Sequence, residues 1–204
     1  MTLPPDVVSS TRNSREPVFG LFLVVAGTIG LLAALALSIE KVEKLQNPQE
    51  GLSCDFSVLV QCSANLDSPQ GAVLGFPNPF LGLIGFALVA CVGVATWATP
   101  HLSRWFWATF NAGILGAGLF VAWLISQSIY VLGTLCPWCL VVWTVTIPLV
   151  IFVTGRNLRR GTFGKRGIAL GERAWPWLPL TTIATYTVIA VLAQIRLNVL
   201  ESLV

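Results

Sequence analysis

The sequence predicts an all-α integral membrane bundle of five transmembrane helices, and three observations predict it. Only 10% of the 204 residues are charged and 55% are apolar, against about 25% charged in an ordinary soluble domain; the mean hydropathy is +0.78. Five runs reach the roughly 20 apolar residues that a helix needs to cross a ~30 Å hydrocarbon core. The positive charges between those runs fall almost entirely on one side of a five-pass arrangement. Helices are expected rather than a barrel, because barrel strands alternate over about ten residues and these runs are continuous.

The five spans are Val18 to Ile39, Phe80 to Ala98, Phe106 to Ile125, Cys136 to Thr154 and Trp177 to Ile195. The first follows Arg12 and Arg15 and contains Ala34-Leu35-Ala36, so a cleaved signal peptide is the competing reading. Its apolar run exceeds the 7–15 residues of a signal core, which favours a retained span. Residues 1–17 read as a polar, proline-containing tail, and residues 18–204 as one domain with a single long loop at 40–79. Within that loop, Phe56 to Leu66 is expected to form a helical turn or two. Asn47-Pro48 and Ser68-Pro69 are breaks. Spans two and three carry Gly82, Gly85, Gly113, Gly116 and Gly118, the small residues that let membrane helices pack closely. Pro148 is expected to bend span four.

Basic residues in short loops mark the cytoplasmic side. With the N-terminus inside, nine of the twelve Lys and Arg residues lie inside, including Arg12, Arg15, Arg104 and the stretch from Arg156 to Arg173. Only Lys41, Lys44 and Arg196 lie outside, among most of the acids. The orientation is therefore N-in and C-out in a cell plasma membrane. The basic 155–176 segment reads as a loop facing anionic lipid. Without aromatic interleaving or a recognisable motif, it gives no reason to invoke nucleic acid.

The same parity puts two cysteine pairs on one face, outside the cytoplasm. Cys136-Pro137-Trp138-Cys139 opens span four, and Cys54 and Cys62 lie in the 40–79 loop. Cys-x-x-Cys at a helix start sets both sulfurs on one turn, near unpaired N–H groups and the positive end of the helix dipole. Both features favour the thiolate, the species that attacks disulfides. In an oxidising compartment a Cys54–Cys62 disulfide can persist, as a structural bridge or as half of a relay that exchanges with Cys136 and Cys139. A zinc site is the weaker reading: His101, the single histidine, falls on the opposite face, and the cysteine spacing is not a usual zinc pattern. Cys91 reads as a mid-span packing residue. No flavin, nucleotide or haem motif is visible, so a membrane quinone is the electron acceptor that the siting suggests.

The array Cys54-x7-Cys62, Ser68, Gly75-Phe76-Pro77-Asn78 and Cys136-Pro137-Trp138-Cys139 resembles the vitamin K epoxide reductase family, in its bacterial, actinobacterial form. The resemblance spans about Val18 to Thr154, plus a fifth span. It implies a four-helix bundle around a quinone pocket, one peripheral helix and an extracytoplasmic cap. It implies that Cys139 is the thiol nearest the quinone, that Cys62 attacks Cys136, and that Cys54 meets a soluble thioredoxin-like, DsbA-type partner. Ser68 and Asn78 would sit at the quinone, with Asn78 donating to a carbonyl. Trp138 and Trp143 are further candidates for the pocket wall. Trp143 departs from the tyrosine that the animal enzymes carry there, which speaks against epoxide chemistry and leaves quinone reduction intact. For Ser68 and Asn78, ordinary turn chemistry beside proline is the alternative.

Together these readings describe a thiol oxidase and quinone reductase. Electrons pass from the DsbA-type protein through both cysteine pairs to menaquinone or ubiquinone, with no metal required. The alternatives are a reductase of vitamin K epoxide and a non-catalytic membrane protein whose loop bridge is structural.

Overall fold

The computed structural model describes residues 16–49, 51–99 and 102–198. The N-terminal tail through Arg15, Glu50, Pro100, His101 and residues 199–204 lie outside the described residues, and so do the sequence readings that rest on them. Among the described residues seven α-helices follow in order: α1 Glu16–Gln46, α2 Ser63–Asp67, α3 Asn78–Ala98, α4 Arg104–Gln127, α5 Pro137–Arg159, α6 Lys165–Ala174 and α7 Leu178–Leu197. Five stretches of the described residues are long and apolar enough to cross a membrane: α1, α3, α4 with the turn after it, α5, and α7 with the α6 segment leading into it. The expected all-α membrane bundle is what the chain forms.

Local chemistry sets the helix ends. Pro79, Pro137 and Pro179 occupy first-turn positions, where a missing N–H has no helical partner to lose. The Ser103 side chain accepts the N–H of Phe106 at the start of α4, an N-cap bond. A π turn, Ser128–Leu132, closes α4, and Gly133 ends it at φ 66, a left-handed conformation that glycine adopts without steric cost. Ser128 Oγ donates to the carbonyl of Thr134 at 2.6 Å, which turns the chain back toward α5.

α5 is the hub and packs on α1, α4, α6 and α7. The most extensive helix pair is α1 with α3. A Cβ on Gly27 would lie 2.6 Å from the Ala90 nitrogen, and one on Gly93 would lie 2.8 Å from the Gly20 carbonyl. Only glycine permits that approach of backbones. Leu23, Val89, Ile114, Leu149 and Val153 fill the centre. α7 lies at the periphery, against α5 and the π turn.

Several details differ from the sequence reading. α1 does not stop at Ile39 but runs to Gln46, so Glu40, expected in the loop, is a buried helical residue. It accepts the Ser53 N–H at 3.2 Å and the Ser53 hydroxyl, and those bonds are what make burying a carboxylate tolerable. The 155–176 segment is mostly helical. Its first basic residue, Arg156, is buried with its guanidinium 3.8 Å from the Trp107 ring centre and 4.6 Å from that of Phe19. Arg156 also donates to Asn157, which in turn donates to Asn111. Cys91 is exposed on the outer face of α3 rather than packed. Of the span glycines, Gly82 packs against Ala34 and Gly118 against Val150 as expected. Gly85, Gly113 and Gly116 have no atom within 4 Å of a would-be Cβ, because they border an open cavity.

Candidate redox site

The loop after α1 is built around Asp55. One carboxylate oxygen accepts the N–H groups of Cys62 at 2.7 Å and Ser63 at 3.1 Å. The other accepts the Leu52 N–H at 3.2 Å and the Ser63 hydroxyl. Burial alone would raise the pKa of this carboxyl. The Ser63 hydroxyl and the N–H groups of Ser63, Cys62 and Leu52 outweigh it and hold the group below its ordinary value. Asp55 thus ties together the two segments that carry Cys54 and Cys62, and those two cysteines form a disulfide.

A second device presses this loop onto the bundle. Val60 and Leu135 form an isolated parallel β-bridge. Leu135 N–H donates to Leu59 at 2.8 Å and Gln61 N–H donates to Leu135 at 3.1 Å. The bridge sits two residues before Cys62 and one before Cys136, so it sets those cysteines side by side. Their sulfurs are 3.3 Å apart and both residues are fully buried. Leu37, Leu52, Leu66 and Trp138 close around the sulfurs. Lys41 clamps the end of α2 through the Leu66 carbonyl at 2.7 Å and the Asp67 carboxylate at 3.1 Å.

Cys136 is the N-cap residue of α5 and Cys139 lies in its first turn. Both are free thiols. Residues three apart on a helix are surface neighbours, yet these two face different surroundings. Cys136 meets Cys62, whereas Cys139 lines a cavity of about 870 Å³. That volume suits a small-molecule site. The cavity runs between α3 and α4, from Gln70 and Asn78 at the loop end to Trp105 and Phe106 at the other. Its walls are almost wholly apolar, with Phe86, Val89, Phe120 and Leu149 among them.

A profile described as the Vitamin K epoxide reductase family matches residues 21–154. The chain belongs to the vitamin K epoxide reductase family. No curated protein matches it. The matched stretch runs from within α1 nearly to the end of α5, so it holds all four paired cysteines and leaves α6 and α7 outside. Membership in the vitamin K epoxide reductase family makes this a multi-pass membrane oxidoreductase.

The remaining residues singled out from the sequence fall as follows. Ser68 lines the cavity and caps the Pro69–Ala72 turn, donating to the Asn65 carbonyl at 2.8 Å and accepting the Gly71 N–H at 3.1 Å. Asn78 also lines the cavity. Its amide nitrogen donates to the Gln70 carbonyl at 2.6 Å, and its oxygen accepts the Val73 N–H at 3.1 Å. Trp143 is a buried part of the wall. Trp138 is not part of the wall; it packs on the sulfur cluster instead, because it sits one residue before Cys139 and so faces the loop. Sequence reasoning missed Asp55 as an organiser, Glu40 as a loop anchor, and the amides of Asn65, Gln70 and Gln127 on the cavity wall. The one available signal was that Asp55 directly follows a loop cysteine.

Proposed function

We propose that this chain oxidises the dithiol of a thioredoxin-like, DsbA-type protein and passes the electron pair to a membrane quinone, so that the partner can place disulfides in exported proteins. The observation that carries the reading is the 3.3 Å separation of the Cys62 and Cys136 sulfurs, with Cys54 bonded behind one and Cys139 on the cavity wall beside the other. Each exchange is a thiolate displacement. The partner's dithiol reduces Cys54–Cys62 and leaves as a disulfide. The Cys62 thiolate then attacks Cys136 of a Cys136–Cys139 disulfide, which forms a Cys62–Cys136 bond and releases Cys139 as thiolate. Cys54 attacks Cys62 and frees Cys136. The outcome is a Cys54–Cys62 disulfide facing a Cys136/Cys139 dithiol, the same bonding pattern as in the structure. The dithiol gives two electrons and two protons to the quinone, a substrate whose ring and apolar tail suit the apolar cavity.

Asn78 and Ser68 stand at the head of that cavity in this reading, with the second N–H of Asn78 available as a donor to a quinone carbonyl, and Trp143 bounds it. Menaquinone or ubiquinone fits the family's general link to quinones. The positive-charge distribution supports an N-in orientation with both cysteine pairs outside the cytoplasm. The test is turnover by the purified protein with a reduced thioredoxin-like donor and a quinone. Cys139→Ala should reduce quinone consumption by at least about a thousandfold, as expected when a nucleophile that acts as part of a unit is removed. Residual activity within about tenfold of wild type would remove Cys139 from the electron path.

A further inference from the structure

Pro148 stands inside α5. Proline has no N–H, and its ring crowds the carbonyl four residues back. The Thr144 carbonyl therefore lacks the donor that an α-helix normally gives it. In the hydrocarbon layer no water can stand in, and a carbonyl left without a donor there is costly. The donor comes from another helix: the Tyr186 hydroxyl of α7 donates to the Thr144 carbonyl at 2.6 Å. α7 is fastened at three levels. At its start Leu178 fills the space beside Gly155, where a Cβ would lie 2.6 Å from it. Midway, Tyr186 meets Thr144. At its end Leu197 joins the cluster of Val121, Leu135 and Trp143, and the Arg196 guanidinium stands 5.0 Å from the centre of the Tyr130 ring.

We infer that Tyr186 is a positioning residue for the redox helix: its hydroxyl replaces the donor that Pro148 lacks and so fixes the segment of α5 that carries Cys136 and Cys139. For what that segment delivers, the inference rests on the thiol-to-quinone reading above. Two ties bracket the segment. The β-bridge holds Leu135 ahead of it, and Tyr186 holds Thr144 within it. Between the ties lie Cys136, buried against Cys62, and Cys139 and Trp143 on the cavity wall. Without the second tie the Thr144 carbonyl must turn toward another donor, and the turns that carry the cysteines shift with it. Ile189, three residues along α7 from Tyr186, packs against the cluster that holds Trp143 and that Cys139 also touches. The helix that ties the segment thus also presses on it. α7 lies beyond the stretch that the family profile covers, and this contact gives it a part in the reaction despite its place at the periphery.

The test makes Tyr186→Phe in two backgrounds, the natural chain and Pro148→Ala, whose restored N–H can reach Thr144 from within the helix. Each purified full chain is studied in lipid nanodiscs. Amide hydrogen exchange over residues 138–147 reads how firmly the segment is held. Turnover with a reduced thioredoxin-like donor and a short-chain quinone reads what the segment does. In the natural chain Tyr186→Phe should quicken exchange and lower kcat, each about three- to tenfold, and change quinone affinity by no more than about twofold. In the Pro148→Ala background it should change exchange and kcat by less than about twofold, because the carbonyl no longer needs Tyr186. Pro148→Leu is the second background if the first fails to accumulate. Equal effects in both backgrounds would mean that Tyr186 acts through α7 packing and would overturn the inference. So would unchanged exchange in the natural chain, or quicker exchange with unchanged kcat, which would leave Tyr186 a structural tie only. Absence of quinone turnover by wild type would instead overturn the catalytic reading, and the exchange comparison would still decide whether Tyr186 holds the segment.

Discussion

The contact between Cys62 and Cys136 makes a sharp prediction for the double variant Cys54→Ser/Cys139→Ser. Each remaining sulfur of the two pairs has then lost its own partner and faces the other at 3.3 Å. A disulfide needs about 2.05 Å, so the sulfurs must close by about 1.3 Å. Ordinary atomic fluctuations of about 0.9 Å in a well-ordered region cover most of that distance when both sulfurs move. The β-bridge at Val60 and Leu135 holds the two backbones meanwhile. Groups tethered even by flexible linkers meet at millimolar effective concentration. At about 1 µM protein the intramolecular bond is therefore favoured about a thousandfold over any bond between molecules. Mild oxidation of the purified variant, followed by non-reducing digestion and mass spectrometry, should recover the Cys62–Cys136 peptide pair as the dominant linked species. Removing Cys136 as well leaves Cys62 with only the exposed Cys91 on α3, and the linked species should disappear. If the double variant forms no more Cys62–Cys136 bond than bonds to Cys91, the loop does not deliver Cys62 to Cys136 and the relay fails.

Asp55→Asn should weaken the loop by about 1 kcal/mol, the size of a partly exposed charged hydrogen bond exchanged for a neutral one, and reductant should open Cys54–Cys62 about fivefold faster. The pH dependence follows from the sign of the shift. The carboxyl is held below its ordinary value in the fold, so its contribution is complete above the ordinary carboxylate range and fades as pH falls through the lowered value. The difference between wild type and variant, read as reductant opening rate against pH, should therefore be full at neutrality and shrink at acid pH; a constant difference would exclude the carboxylate as its source. A matched glycine pair tests the two kinds of glycine surface. Gly27→Ala drives a Cβ against the Ala90 backbone and should cost about 1–3 kcal/mol by overpacking. Gly113→Ala meets open space and should be neutral or stabilising by up to about 1 kcal/mol. Thermal unfolding in detergent measures both, and equal effects at the two sites would contradict the α1–α3 packing.

What could be read from the chain before its fold was known, and what could not, divides along the range of the forces involved. The five spans were legible because apolarity accumulates residue by residue along one helix. The meeting of the cysteine pairs was legible because crossing parity needs only a count of spans. Asp55 and Glu40 were not, since their roles depend on which backbone N–H groups a loop turns toward them, and loop composition does not encode that. Glu40 is instructive because a carboxylate after an apolar run looks like a span's end. Here α1 continues past it, since Ser53 returns thirteen residues later to satisfy the charge. The glycines make the limit plainest. Gly82 and Gly85 are three residues apart on α3, close to one face of the helix, and local sequence treats them alike. Both border the cavity that separates α3 from α4, but Gly82 also meets Ala34 of α1, whereas a Cβ on Gly85 would meet nothing within 4 Å. A glycine at helical spacing shows only that something comes close to the backbone or must be left room beside it. Whether that something is a neighbouring helix or a bound substrate is decided by where α4 runs, and α4 is held away from α3 by its packing on α5.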